Sequence, residues 1–392
     1  MQYDFTTLID RTGTGSEKWN LMRQICPQAP AGIVPLSVAD MELKNPPEII
    51  EGLKDYLDQT ILGYTEATDA YYLAVQNWME RRHGFRPPKE WFVETPGVVP
   101  ALQMMVGAFT SPGDSVLIHT PVYYPFRSCV EANRRKLVES QLLLEDGLYE
   151  IDWADFEAQA SRPEVTLYIL CSPHNPIGRV WSREELLKIC EICLRHHVFI
   201  LSDEIHFDLI MPGFHHVSLA TFPDCYLQNC AVCTSPSKTF NLAGFQASNI
   251  LIPNPEYRKK VTAAQGYFAL NIMAYKACEL AYTRCEEWLK QLVEHLEGNK
   301  KLVEHFMAEH LPLIRVHELQ GTYLQWLDFR ALRMECHALE QFMTQKAYWF
   351  CDEGYIFGRG GEGFERLNLA CPRQVLEDAL LRLEQAVGSL LL

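Results

Sequence analysis

A single lysine sits among hydroxyls in Thr234-Ser235-Pro236-Ser237-Lys238-Thr239-Phe240-Asn241, directly after the apolar run Cys230-Ala231-Val232-Cys233. A lysine acts as nucleophile or base only when its amine is neutral, and burial at a strand end lowers its pKa towards that state. Lys238 is therefore the candidate nucleophile. The serines flanking Pro236 suit a bound phosphate, because a turn leaving a strand presents hydroxyls and amides to an anion. Ser235-Pro236-Ser237-Lys238 also fits the S-x-x-K pattern of serine acyl enzymes. Those enzymes carry S-D-N and K-T-G signatures as well; here Ser202-Asp203 is followed by Glu204 and Lys238-Thr239 by Phe240. An acid, Asp203, lies 35 positions before the lysine, and Asn175 and Tyr123 precede it.

These residues share one kind of place in the chain. From Trp91 the sequence alternates short apolar strands with helical runs. Strands are expected at 92–95, 116–119, 136–143, 166–171, 198–201, 230–234 and 248–252, with helices at 46–59, 70–83, 98–109 and 123–133, from 152 onward, and up to His196. Ser182 and Glu185 form a capping box at the start of the last of these. Such alternation predicts an α/β fold with a mainly parallel, mixed sheet buried on both faces. Ligands of such sheets bind beyond the carboxyl ends of the strands. Asn175, Asp203 and Lys238 all follow strands, so one crevice can collect them.

Residues 1–45 read as an arm, 46–284 as a large domain, and 285–392 as a small α+β domain that the arm joins. Helical runs span 271–309. Beyond them come a strand at 322–327, a helix at 336–351, a glycine-rich turn at 358–363, a strand at 366–369 and a terminal helix.

The 392 residues are 48% hydrophobic and carry a formal net charge of -15, which disfavours nucleic acid and anionic membranes as partners. The amino terminus lacks a basic region followed by an apolar core, and no run reaches the length of a membrane span, so a cytoplasmic location is expected. Thirteen cysteines point to reduced thiols rather than a disulfide framework. The pairs Cys190/Cys193 and Cys230/Cys233 invite a zinc reading. The first falls in a helical run and the second in a strand, where residues three apart face opposite ways, so no metal site is expected.

An enzyme that makes a carbanion beside an amino acid's carboxylate needs an electron sink. The parts suit pyridoxal phosphate: Lys238 to hold the aldehyde, Asp203 to keep the pyridine nitrogen protonated, Asn175 to donate to the phenolic oxygen and Tyr123 to stack on the ring. Further motifs extend the pattern: Val38-Ala39-Asp40-Met41, Gly63-Tyr64-Thr65, Arg81-Arg82-His83-Gly84-Phe85, Thr95-Pro96-Gly97-Val98-Val99-Pro100 and Thr120-Pro121-Val122-Tyr123. Beyond these lie Pro173-His174-Asn175-Pro176-Ile177-Gly178-Arg179-Val180-Trp181, Ser202-Asp203-Glu204-Ile205-His206 and Asn368-Leu369-Ala370-Cys371-Pro372-Arg373. Taken together, the chain resembles a fold-type I pyridoxal phosphate enzyme of the aspartate aminotransferase superfamily, within it the MalY/PatB branch of cystathionine beta-lyases.

The resemblance implies roles. Lys238 would bind the cofactor and move the proton at the substrate's Cα. Asp203 would pair with the pyridinium, Asn175 and His206 would lie near the phenolic oxygen, and Tyr123 would stack on the ring. The amides of Val98 and Val99, with Ser235 and Ser237, would bind the phosphate. Tyr64 would reach it from the second subunit of a homodimer, and Arg373 would clamp the substrate carboxylate. The implied reaction is beta-elimination from a sulfur amino acid, giving a thiol, pyruvate and ammonia. Rivals are transamination and an enzyme that also binds a transcription regulator. Two departures stand out. Gln246 occupies the position, eight after the lysine, where the superfamily usually has an arginine, and Ser37 stands where the branch usually has a tryptophan, a loss expected to widen or repolarise the entrance. The segment Leu242-Ala243-Gly244 also varies within the branch.

Overall fold

The protein was analysed as a computed structural model that describes residues 2–390. Nine strands precede the midpoint of the long helical region: β1 (Phe92–Thr95), β2 (Ser115–Thr120), β3 (Lys136–Gln141), β4 (Leu143–Glu145), β5 (Leu148–Glu150), β6 (Val165–Cys171), β7 (Phe199–Asp203), β8 (Cys230–Thr234) and β9 (Ser248–Leu251). Seven of them form one sheet in the order β1-β9-β8-β7-β6-β2-β3. Only β9 runs against its neighbours, β1 and β8, and the pairs from β8 to β3 are parallel.

Both faces of the sheet are covered. Leu117, Tyr168, Leu170, Ile200 and Val232 face one apolar cluster, while their chain neighbours Val116, Ile118, Leu167, Ile169, Leu201 and Ala231 face a second. A parallel strand covered by helices on each side has no solvent face, and this is why these segments read as unbroken apolar runs. The capping box of Ser182 and Glu185 opens the helix Arg183–Arg195 as expected.

The second sheet is antiparallel, from β10 (Arg315–Val316), β11 (Leu324–Asp328), β12 (Asp352–Glu353) and β13 (Phe364–Asn368), in the order β10-β11-β13-β12. The helix Glu286–His310 leads into it and the helix Arg373–Gly388 closes it. This is the small α+β unit beside the large mixed sheet.

Three local expectations need correction. The stretch 136–143 is not one strand: β3 stops at Gln141, and β4 and β5 form a hairpin closed by Asp146 and Gly147, both at positive φ (49° and 88°). Asp-Gly is the turn that such a two-residue hairpin favours. The run 336–351 ends as an α-helix at Phe342 and continues as a π turn, Met343–Ala347, stopped by Tyr348 at φ 48°. The arm contains a helix, Glu17–Ile25, that buries Lys18, Trp19 and Met22. Lys18 Nζ meets Glu42 Oε1 at 2.8 Å, both side chains 1% exposed, and Trp19 Nε1 donates to Glu42 Oε2, so a buried ion pair ties the two ends of the arm together. Among the described residues, no helix is long and apolar enough to cross a membrane, and no group of three or more His, Cys, Asp or Glu side chains could hold a metal ion.

Candidate active site

The carboxyl ends of β1, β2, β6, β7 and β8 open on one cavity of about 730 Å³, part of it open to solvent. Val98 and Val99 follow β1, Tyr123 follows β2, Cys171 ends β6 with Asn175 just beyond, and Asp203 ends β7. Ser237 and Lys238 follow β8, and all of these line the cavity together with His206, Ala39 and Gln246.

Lys238 is half-buried, and its Nζ donates to the carbonyl of Ala39 at 2.7 Å. Burial, with the Arg366 guanidinium nearby, lowers the amine to about 8. A neutral fraction is therefore present at ordinary pH, as a nucleophile requires. Asp203 is 3% exposed, and its Oδ1 accepts the Ile205 N–H at 3.1 Å. Desolvation raises the carboxyl to about 7 despite that bond and the opposing pull of Lys238. A buried acid held so poorly by its own chain fits a cationic ring nitrogen. His206 is also buried, which drives its imidazole well below its ordinary value, and its Nδ1 has no partner.

The helix Val98–Phe109 begins at Gly97, whose φ of 129° suits glycine, and no side chain caps it. Its first amides, those of Val98 and Val99 among them, have no acceptor within the helix and carry the positive end of its dipole, a ready anion site. Ser237 lies on the cavity wall. Ser235 does not: its hydroxyl donates to the Ala247 carbonyl at 2.6 Å and accepts from the Ser237 amide at 3.0 Å, so it shapes the turn rather than facing the cavity. Gln246 reaches the cavity from a left-handed residue at φ 55°, placing a neutral amide where a cation was expected. Ser37 is 4% exposed and does not line the cavity.

The carboxylate clamp expected at Arg373 is not found there. Arg373 opens the last helix, its side chain is 53% exposed, and its Nε donates to Glu377 one turn on. A buried arginine stands behind the cavity wall instead: Arg366, on β13, is 2% exposed and does not line the cavity itself. Its Nη1 donates to Asn175 Oδ1 at 2.8 Å and its Nη2 to Asp352, while its Nε is buried without a partner. The pattern of β13 carried a signal: an arginine in the middle of a five-residue strand that is buried throughout needs a reason to be there. Tyr64 is fully exposed, beside Ile61 and Leu62, and touches nothing of the cavity in its own chain.

The pattern of the aminotransferase class I and II family matches residues 31–383. The chain belongs to that family. It is 43% identical to the cystathionine beta-lyase PatB of Bacillus subtilis over 388 residues, covering 98% of this chain and 100% of the relative. Cystalysin from Treponema denticola, whose crystal structure contains a pyridoxal 5'-phosphate cofactor, superposes with a TM-score of 0.98 at 47% identity, over 100% of each chain. The PLP-bound C-S lyase from Staphylococcus hominis superposes with a TM-score of 0.91 at 30% identity, over 98% of each chain. The donor set fits the cofactor those structures hold: a half-buried amine, a buried acid without a side-chain partner, and an uncapped helix start.

Proposed function

We propose that this protein is a pyridoxal phosphate-dependent carbon-sulfur beta-lyase that cleaves sulfur amino acids such as cystathionine or cysteine. The observation that carries the reading is the convergence of Lys238, Asp203, Asn175 and the start of the helix Val98–Phe109 on one cavity, with Arg366 behind Asn175. Pyridoxal phosphate, when bound, supplies an electron sink for the carbanion formed at the substrate's Cα.

The chain's own residues do the rest. Lys238 would hold the cofactor through its Nζ until substrate binds. Its freed amine then takes the Cα proton at Nζ. Asp203 would balance the positive charge of the ring nitrogen, Tyr123 would cover the ring face, and Asn175 and His206 would meet the phenolic oxygen. The amides of Val98 and Val99 with Ser237 would bind the phosphate. Arg366 takes the substrate carboxylate: of its five N–H donors two are used, by Asn175 and Asp352, and three remain. The Cβ–S bond breaks, its electron pair leaves with sulfur, and a proton makes the thiol. Water converts the remaining three-carbon enamine to pyruvate and ammonia.

A homodimer belongs to this reading, with Tyr64 reaching the phosphate of the partner subunit. Its support is the exposed run Ile61, Leu62 and Tyr64 and the 90% exposed Tyr267. The division at 45/46 and 284/285 and a cytoplasmic location are likewise proposed, the first supported by the two separate sheets and the second by thirteen cysteines that are all free.

The test is pyruvate release from L-cystathionine or L-cysteine by the cofactor-loaded protein without any keto acid, against Lys238→Ala. Pyruvate from the wild type alone is expected. Conversion of the cofactor to its amine form without pyruvate would move the assignment to an aminotransferase.

A further inference from the structure

Arg366 does not hold its own position. Its guanidinium lies over the Phe357 ring, 4.8 Å from the centroid, and its two outer nitrogens reach Asn175 in the large domain and Asp352 on the adjacent strand. Asp352 and Arg366 are directly opposite in the β12–β13 ladder. The same Asp352 oxygen, Oδ2, also accepts the backbone N–H of Val38 at 2.8 Å.

Val38 is a β-branched residue at φ 55°, a strained conformation that persists only when its surroundings enforce it. Asn368 holds the same turn from the other side, donating to the carbonyls of Val38 at 2.7 Å and Asp40 at 2.8 Å. Between those two carbonyls lies that of Ala39, the acceptor of Lys238 Nζ. One carboxylate oxygen thus meets both the arginine and the arm turn that faces the lysine.

Asp352 suits this task better than its acidic neighbours. Glu353 and Glu365 are themselves a cross-strand pair, and Glu340, also acidic, hydrogen-bonds Tyr355. Burial and mutual repulsion favour the protonated forms of Glu353 and Glu365. Asp352 is the carboxylate that meets a cation and a backbone amide together.

We propose that Asp352 is a positioning residue that aims Arg366 at the substrate carboxylate and fixes the Val38–Asp40 turn, and so sets the preference for α-carboxylate substrates. This rests on the reading of Arg366 above. Asp352 lies outside the cavity lining and reaches the site through these groups and through its charge, which acts on Lys238.

The test compares L-alanine with L-alaninamide, which lacks the carboxylate, as ligands of the cofactor-loaded wild type and Asp352→Asn, read by the cofactor's absorbance change. The substitution keeps the side chain's volume and removes its charge. L-Alanine binding is expected to weaken about 10–100-fold, the scale of a misplaced substrate contact, while L-alaninamide binding stays within about twofold. The KM for L-cystathionine should rise more than kcat falls. If Asp352→Asn fails to fold, Asp352→Glu, which keeps the charge one methylene further out, should show the same split to a smaller degree. Equal losses for both ligands, no loss for either, or a wild type that does not prefer L-alanine would overturn the proposal. A wild type that prefers L-alanine but releases no pyruvate would sink the lyase reading and leave the role of Asp352 to be decided by the two ligands.

Discussion

Lys238→Met in the cofactor-free protein tests the electrostatics of the site without any catalysis. Burial and Arg366 lower the Lys238 amine from 10.5 to about 8. At 1.36 kcal/mol for each tenfold this corresponds to about 3 kcal/mol favouring the neutral amine in the folded state. Because the folded pKa is depressed, the stability contribution is fully present above 10.5 and is lost as pH falls through 8. At pH 7 the charged amine thus costs the folded protein about 3 kcal/mol. Methionine, of similar length, removes that cost and also removes the bond to the Ala39 carbonyl, a charge-assisted contact worth about 1.5–3 kcal/mol. The expected net at pH 7 is a gain of about 1 kcal/mol for the variant. Near pH 10.5 the electrostatic gain disappears and the lost hydrogen bond leaves the variant less stable. Urea unfolding of wild type and Lys238→Met at pH 7, 8, 9 and 10 reads the difference directly. A difference that stays constant across that range would refute the reasoning, because only a titrating lysine makes it change.

Further outcomes follow from the small domain and the core behind the site. A Cβ at Gly354 would lie 2.1 Å from the Gly361 carbonyl oxygen and 2.6 Å from that of Phe364, both backbone atoms that cannot move aside. Gly354→Ala should therefore destabilise by about 3 kcal/mol or more and shift β12, visible as a lowered denaturation midpoint together with a raised KM. Burial raises the Glu353 carboxyl to about 7. Its stabilising contribution is complete below its unfolded value and is lost as pH rises through 7, so Glu353→Gln should flatten the fall in Tm between pH 5 and 8; an unchanged slope would count against it. The fully buried Asp208 carboxylate accepts from Trp78, Thr239 and His83, and Thr239 is the residue after Lys238. Asp208→Ala should cost about 3–5 kcal/mol in unfolding experiments, since a buried charged network loses its acceptor.

The mixed sheet, its helices and the crevice were legible because they follow from periodicity. Strands buried on both faces must be continuous apolar runs, and each delivers its polar residue just past its carboxyl end. That rule placed Asn175, Asp203 and Lys238, and the structure brings them to one cavity with Tyr123, Val98, Val99, His206 and Ser237. The motif residues Ser235 and Arg373 fared differently. Whether a serine beside a lysine faces a ligand or the Ala247 carbonyl depends on the turn's path. Whether an arginine three residues after Ala370 or one on β13 meets the substrate depends on how the small domain leans on the large one.

Chain order alone determined the fold class and placed Lys238 and Asp203 at the carboxyl ends of their strands, since local sequence encodes which residues end each strand. Tertiary structure decided which arginine is buried, because Arg366 finds its partners at Asn175, 191 positions away, and at Asp352 across a ladder. It also decided the strained turn at Val38, which a local sequence disfavours and which distant contacts from Asp352 and Asn368 hold in place. Such contacts join residues far apart in the chain, and no spacing within a short stretch records them.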